Sequence, residues 1–198
     1  MKNIIFDFGG VLIKGNAISS LNKFNINEEE LNELKRFFSD YEELDKGKQT
    51  LEEKFNECNF SYEISLKYKD LLINYYKYRE VNMDLVELIY KLKNRDYKVY
   101  VLSNNPHEAF NYYSSNPLFK AIDGFIGSCD YGKVKDDGEL FDVILSKYNL
   151  DPSECYFIDN KKLNIDMAYK HGIIGYQFDE NEDINKLYTD MRNNGIII

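Results

Sequence analysis

The chain has 198 residues, 43% of them hydrophobic, which suits one domain with a sizeable core, or a core carrying a smaller insertion. Its formal net charge is -9 and no Lys/Arg-rich stripe occurs, so a nucleic-acid groove is not expected, although a few local cations and a metal can still hold a small anion. The 3 cysteines (Cys58, Cys129 and Cys155) lie far apart with no CxxC pair, as reduced thiols do, and no leader-like or bilayer-length apolar stretch is present, so the expectation is a cytoplasmic protein with no membrane partner.

Residues 1–14 read as a first strand and its turn. The apolar β-type run Asn3-Ile4-Ile5-Phe6 stops at Asp7, and Gly9 and Gly10 follow. An Asp at a strand tip, beside backbone that glycine lets approach closely, can act as a nucleophile or a metal ligand, or it can cap a turn. Residues 15–80 show helical spacing and no strand pattern. Asn27-Glu28-Glu29-Glu30 reads as a capped helix start followed by Leu31, Leu34, Phe38 and Tyr41, and Thr50 with Glu53 reads as a second capped start. Residues 62–78 add Ile64, Leu71, Leu72 and a run of tyrosines, whose rings are expected to be buried with wet hydroxyls.

From residue 83 the pattern changes. Leu85, Leu88, Ile89 and Leu92 mark an amphipathic helix. A strand over 98–102 ends at Ser103-Asn104-Asn105, a helix is expected around 107–115, and a short strand over 124–127 follows. A helix over 139–148, a strand over 155–158 ending at Asp159, a helix over 163–171 and a last strand over 174–178 complete the reading. Alternating strands and helices give an α/β fold with a Rossmann-like parallel sheet and helices on both faces, plus a small helical cap inserted after the first strand. The expected division is a core of residues 1–14 and 81–198 and a cap of residues 15–80. His107 is expected at a solvated helix start, and His171 at a helix C-terminus, where a cation complements the dipole.

Three expected strands end in polar residues: Asp7, Ser103-Asn104 and Asp159-Asn160. Strand tips of a parallel sheet point the same way, so these groups can meet in one crevice. The segment Ser128-Cys129-Asp130-Tyr131-Gly132-Lys133-Val134-Lys135 brings a lysine to the same edge. A carboxylate, a hydroxyl-amide pair, a lysine and a second acidic cluster suit phosphoryl transfer, in which cations offset the phosphate charge so that an anionic nucleophile can approach.

Over residues 3–178 the chain resembles the haloacid dehalogenase superfamily at four motifs, in order. Phe6-Asp7-Phe8-Gly9-Gly10-Val11 resembles motif one, Val101-Leu102-Ser103-Asn104 motif two, Ser128 through Gly132 to Lys135 motif three, and Phe157-Ile158-Asp159-Asn160, with Asn164 and Ala168 downstream, motif four. Asp45-Lys46-Gly47-Lys48-Gln49-Thr50, followed by Glu53 and Phe55, is similar to the cap of the subgroup related to bacterial α-glucose-1-phosphate phosphatase. The resemblance implies a magnesium-dependent phosphatase of a small phosphorylated metabolite, a sugar phosphate or similar. It implies Asp7 as a nucleophile that forms an aspartyl-phosphate, with Lys135 as its catalytic partner, and phosphate binding by Ser103, the Asn104 amide and Gly10. Magnesium would lie between Asp7, the Gly9 carbonyl, Asp159 and Asn160.

Two departures bear on activity. Most phosphatases of the family carry a second Asp where this chain has Gly9, and such general acid-base help is worth about 10²–10⁴-fold. The second acid of motif four is Asn160, which removes one negative charge from the expected ion site. The alternatives are a catalytically weak relative that binds a phosphoester or a protein, and a metal-free dehalogenase of the same superfamily.

Overall fold

The computed structural model describes residues 1–198. Five parallel strands form one sheet: β1 (Asn3–Phe6), β2 (Lys98–Ser103), β3 (Gly124–Gly127), β4 (Cys155–Asp159) and β5 (Ile174–Gln177), in the order β3-β2-β1-β4-β5. β1 is therefore central, and the order reverses beside it. Phe6 pairs with Val101 on one side and Ile158 on the other. Asp7, one residue past the paired end, therefore lies level with Asp159, and Ser103 lies one step farther along β2.

The central strands are apolar without alternation because both faces of the sheet are covered. Successive residues point to opposite sides. Ile4, Phe6, Val99, Val101, Tyr156 and Ile158 belong to a core shared with α5 (Met83–Lys93) and α6 (His107–Ser114). Ile5, Tyr100, Leu102 and Phe157 belong to a second core with Leu140, Phe141 and Ile144 of α8 (Glu139–Tyr148) and Ile165 and Ala168 of α9 (Lys162–Lys170). A four-residue helix, α7 (Ser128–Tyr131), follows β3.

Between β1 and β2 the chain is helical: α1 (Glu28–Leu34), α2 (Glu42–Asp45), α3 (Leu51–Glu57) and α4 (Tyr62–Ile73), with short 3-10 turns between. Both capped starts form as read. Asn27 and Glu30 make a reciprocal capping box on α1, and Thr50 and Glu53 make one on α3. The segment leaves and rejoins the sheet side by side, with the Lys14 N–H donating to the Glu80 carbonyl at 2.8 Å and the Asn82 N–H to the Leu12 carbonyl at 2.9 Å. The Arg79 guanidinium also donates to the carbonyls of Ile13 and Lys14 across this crossing.

The sequence reading ends at residue 178, but the chain adds α10 (Asn185–Asn193). Only Leu187 and Met191 of that helix are buried, one turn apart, among polar residues. A two-residue apolar stripe is too narrow to stand out in a periodicity scan. No helix is long and apolar enough to cross a membrane.

Candidate active site

At the C-terminal edge of the sheet, Asp7, Ser103, Lys135 and Asp159 form one buried cluster, each 5% exposed or less. Asp7 Oδ1 accepts from Ser103 Oγ at 2.6 Å and lies 2.9 Å from Lys135 Nζ. Lys135 Nζ also lies 2.6 Å from Asp159 Oδ2. Two carboxylates thus share one almost fully buried ammonium. Burial, joined by the nearby Asp159 charge, holds the Asp7 carboxyl above the ordinary carboxylate range against the pull of Lys135 and Ser103. Burial alone pulls the Lys135 ammonium down, but Asp159 and Asp7 outweigh it and hold the group above its ordinary value.

The surrounding amides fix this cluster. Ser103 Oγ accepts from Asn105 Nδ2 at 2.7 Å, and the Asn105 N–H donates to Ser128 Oγ at 3.1 Å. Asn104 Oδ1 accepts from the Lys135 N–H at 3.0 Å while its Nδ2 donates to Asp136 at 3.1 Å. The Asn104 side chain therefore holds the lysine loop, and its backbone N–H, which has no acceptor within the chain, is left for a ligand.

Asp159 and Gly10 also have partners within the chain. Both oxygens of Asp159 are engaged: Oδ2 by Lys135 and by Asn164 Nδ2 at 2.8 Å, Oδ1 by the Lys161 N–H at 2.8 Å. This carboxylate anchors the lysine. Gly10 commits its own N–H to the Ile13 carbonyl at 2.7 Å. Its backbone is left-handed, at φ +78, and a Cβ on it would stand 2.2 Å from Asn160 Nδ2. Glycine is required there by the turn and by the close approach of Asn160. Asn160 Oδ1 and Asn164 Oδ1 are both buried with no donor.

Asp7, Gly9, Asn104, Lys135, Asn160 and Asn164 line a cleft of about 350 Å³. Its other walls come from the helical segment and the residues that flank it, including Ile18, Phe38, Tyr41, Asp45, Tyr75 and Arg79. The sequence reading assigned no site role to Asp45, Arg79 or Asn105. Asp45 lay in the quoted segment 45–50, and Asn105 directly followed the expected strand tip, so both carried a positional signal. Arg79 carried none, because only the return of the chain beside residues 13–15 brings it to the cleft. His107 is half-exposed at the start of α6, with Nδ1 3.4 Å from Asp130. His171 ends α9, stacks on Phe141 and places Nδ1 2.8 Å from the Met167 carbonyl, outside the cleft.

Comparisons with known proteins agree with this fold. The chain is 24% identical over 208 residues to a D-ribitol-5-phosphate phosphatase of Bacteroides thetaiotaomicron, covering 98% of this chain and 99% of that protein. A HAD family enzyme of Bacteroides thetaiotaomicron, solved in complex with magnesium and inorganic phosphate, superposes with a TM-score of 0.71 at 23% identity over 95% of this chain and 99% of that one. A HAD-like family hydrolase of Porphyromonas gingivalis superposes with a TM-score of 0.70 at 23% identity over 97% and 98% of the two chains. A model of the haloacid dehalogenase-like hydrolases matches residues 1–172, and the chain belongs to that family.

Proposed function

We propose that the chain is a cytoplasmic, magnesium-dependent phosphatase of a small phosphorylated metabolite, a sugar or polyol phosphate, acting through an aspartyl-phosphate on Asp7. The observation that carries this reading is the set of contacts around Asp7. Ser103 and Lys135 both hold Oδ1, while no donor within the chain reaches Oδ2. One oxygen is oriented and the other is free to attack phosphorus. A phosphoryl group seated against Oδ2 has the Ser103 hydroxyl, the Lys135 ammonium and the Asn104 N–H as its donors. Asp159 keeps Lys135 charged and in place.

The donor set fits a hard cation. Asn160 Oδ1 is an orphaned buried acceptor among the residues that line the cleft with Asp7 and Gly9. A carboxylate, a backbone carbonyl and an amide oxygen suit an ion that keeps several waters. Asp7, the Gly9 carbonyl, Asp159 and Asn160 would hold magnesium. When bound, the ion offsets phosphate charge and so lets the Asp7 carboxylate approach. The relative that acts on D-ribitol 5-phosphate and the neighbour solved with magnesium and phosphate support the same reading.

In this reading residues 15–80 are a cap over a core of residues 1–14 and 81–198. The cap supplies Phe38, Tyr41 and Tyr75 to the cleft, next to the amides of Asn16 and Asn105. A volume of about 350 Å³ lies near the small end of ligand pockets and suits a compact ester. The subgroup related to α-glucose-1-phosphate phosphatase falls within this substrate class.

Turnover of p-nitrophenyl phosphate tests the proposal. Hydrolysis should require magnesium and fall to background in Asp7→Asn. A wild-type protein that binds magnesium and phosphate without turnover would be a binding relative. Metal-free release of halide from 2-chloropropionate would make it a dehalogenase.

A further inference from the structure

We propose that Asp45 is the general acid and base of this site: it protonates the leaving oxygen when Asp7 attacks and then takes a proton from the water that releases phosphate. The inference rests on the phosphatase reading above. Phosphoryl transfer to Asp7 forms an Asp7 O–P bond and breaks the ester P–O bond, whose electron pair stays on the leaving oxygen. An alkoxide leaving group needs a proton as it departs. In the second step water forms a P–O bond, its proton goes to Asp45, and the Asp7 O–P bond breaks to return the carboxylate and inorganic phosphate. Each cycle leaves Asp45 as it began.

The position normally nearest the nucleophile offers no such group, because Gly9 has no side chain. Of the other titratable groups on the cleft walls, Lys135 is locked between two carboxylates and Arg79 is permanently charged. Burial holds the phenols of Tyr41 and Tyr75 far above their ordinary range, which makes them poor proton donors. Lys161 is exposed to solvent. Asp45 remains. It stands on the helical segment and lines the same cleft as Asp7, and an in-line displacement sends the leaving group away from the nucleophile, into that cleft. Its carboxyl makes no hydrogen bond within the chain, so its proton is not committed elsewhere.

The fold holds Asp45 there by its backbone. Its N–H donates to the Tyr41 carbonyl at 2.9 Å, and Leu44 beside it is fully buried. Gly47 turns the chain at φ +69, where a Cβ would stand 2.3 Å from the Cys129 carbonyl and 2.7 Å from His107 Nε2. The end of α2 is thus seated on α7. Partial burial of Asp45 raises its carboxyl to about 7, the range a group needs to give and take protons near neutrality. Lys161 and Lys135 pull it down while Asp136 and Asp7 push it up. The phenols of Tyr41 and Tyr75 and the Cys129 thiol, which burial pushes up to about 12, are neutral neighbours.

Asp45→Asn, nearly isosteric, tests the role with p-nitrophenyl phosphate, whose leaving group departs without a proton. Asp7 should still be phosphorylated at the wild-type rate, and its release should slow about 10²-fold or more. The expected trace is a burst of one p-nitrophenolate per site followed by slow turnover, with loss of the limb of the kcat–pH profile near neutrality. Thermal stability should not fall, and phosphate binding in magnesium should stay unchanged. Gly9→Asp in the Asp45→Asn background should restore part of the rate, because the Gly9 Cβ position has nothing closer than Arg79 at 3.8 Å. Wild-type steady-state turnover in Asp45→Asn, or equal slowing of burst and turnover with an unchanged pH profile, would overturn the assignment and leave the Asp7 mechanism standing. A wild-type enzyme with no turnover at all would instead remove the phosphatase reading.

Discussion

Lys135→Met and Asp7→Asn should change stability in opposite directions, although both remove one charge from the same cluster. Lys135 is the ammonium shared by Asp7 at 2.9 Å and Asp159 at 2.6 Å, and the three residues are 1%, 5% and 0% exposed. Removing it leaves two buried carboxylates without a counter-charge, which costs about 3–5 kcal/mol. Asp7→Asn instead leaves Lys135 and Asp159 as a one-to-one pair, with Asn164 and the Lys161 N–H still bonded to Asp159. That variant should match the wild type or exceed it by about 1–2 kcal/mol. The pH dependence follows in sign. A carboxyl raised above its unfolded value binds its proton more tightly in the folded state, so its ionised form weakens the fold once pH rises through the folded value. The deficit of Lys135→Met should therefore shrink as pH falls from 8 towards 5. Urea unfolding in the presence of a chelator measures all three proteins without bound metal. Lys135→Met as stable as the wild type, or Asp7→Asn as damaged as Lys135→Met, would refute the charge arrangement argued for this cluster.

Asp45 gives a second pH test: its carboxyl is raised to about 7 from 3.8, so the folded state holds the extra proton between those values and stability falls as pH rises through that window. Asp45→Asn should gain stability over the wild type at pH 8 and not at pH 4 in thermal unfolding, and an equal effect at both would contradict it. Asn160→Asp adds a full charge where an orphaned amide oxygen now stands, and should tighten magnesium binding about tenfold or more by calorimetry; unchanged affinity would place the ion elsewhere. Gly10→Ala forces a Cβ into a left-handed turn 2.2 Å from Asn160 Nδ2 and should cost about 1–3 kcal/mol with loss of magnesium binding. Gly9→Ala, with ordinary contacts only, should stay within about 0.5 kcal/mol in the same urea titration.

Much of the architecture was legible because each strand of this sheet announces itself twice, by an apolar run and by the polar residue that ends it. Ile5-Phe6-Asp7, Leu102-Ser103 and Ile158-Asp159 are such pairs, and parallel register then brings their ends together. Lys135 was legible from its distance to Ser128, since the turn at Gly132 folds the loop back to the sheet edge. Asp159 shows where reading stops. Residue type made it a possible ligand, and only three-dimensional contacts with Lys135, Asn164 and Lys161 assign its oxygens. Arg79 was illegible as a cleft residue for a related reason. Helical periodicity tells which face of a helix is buried but not which segment it covers, so the approach of the helical segment to the sheet edge cannot be read from spacing. The terminal helix was missed because Leu187 and Met191 alone carry its burial.

The most direct measurement of the central claim is chemical trapping at position 7. Protein turning over p-nitrophenyl phosphate in magnesium is quenched with borohydride, which reduces an acyl phosphate to an alcohol, and the peptide containing residues 3–14 is sequenced by mass spectrometry. Homoserine in place of Asp7, absent when substrate or magnesium is withheld, is the expected result. Turnover with Asp7 intact, or with the reduced residue at another position, would contradict a phosphoryl group carried by Asp7.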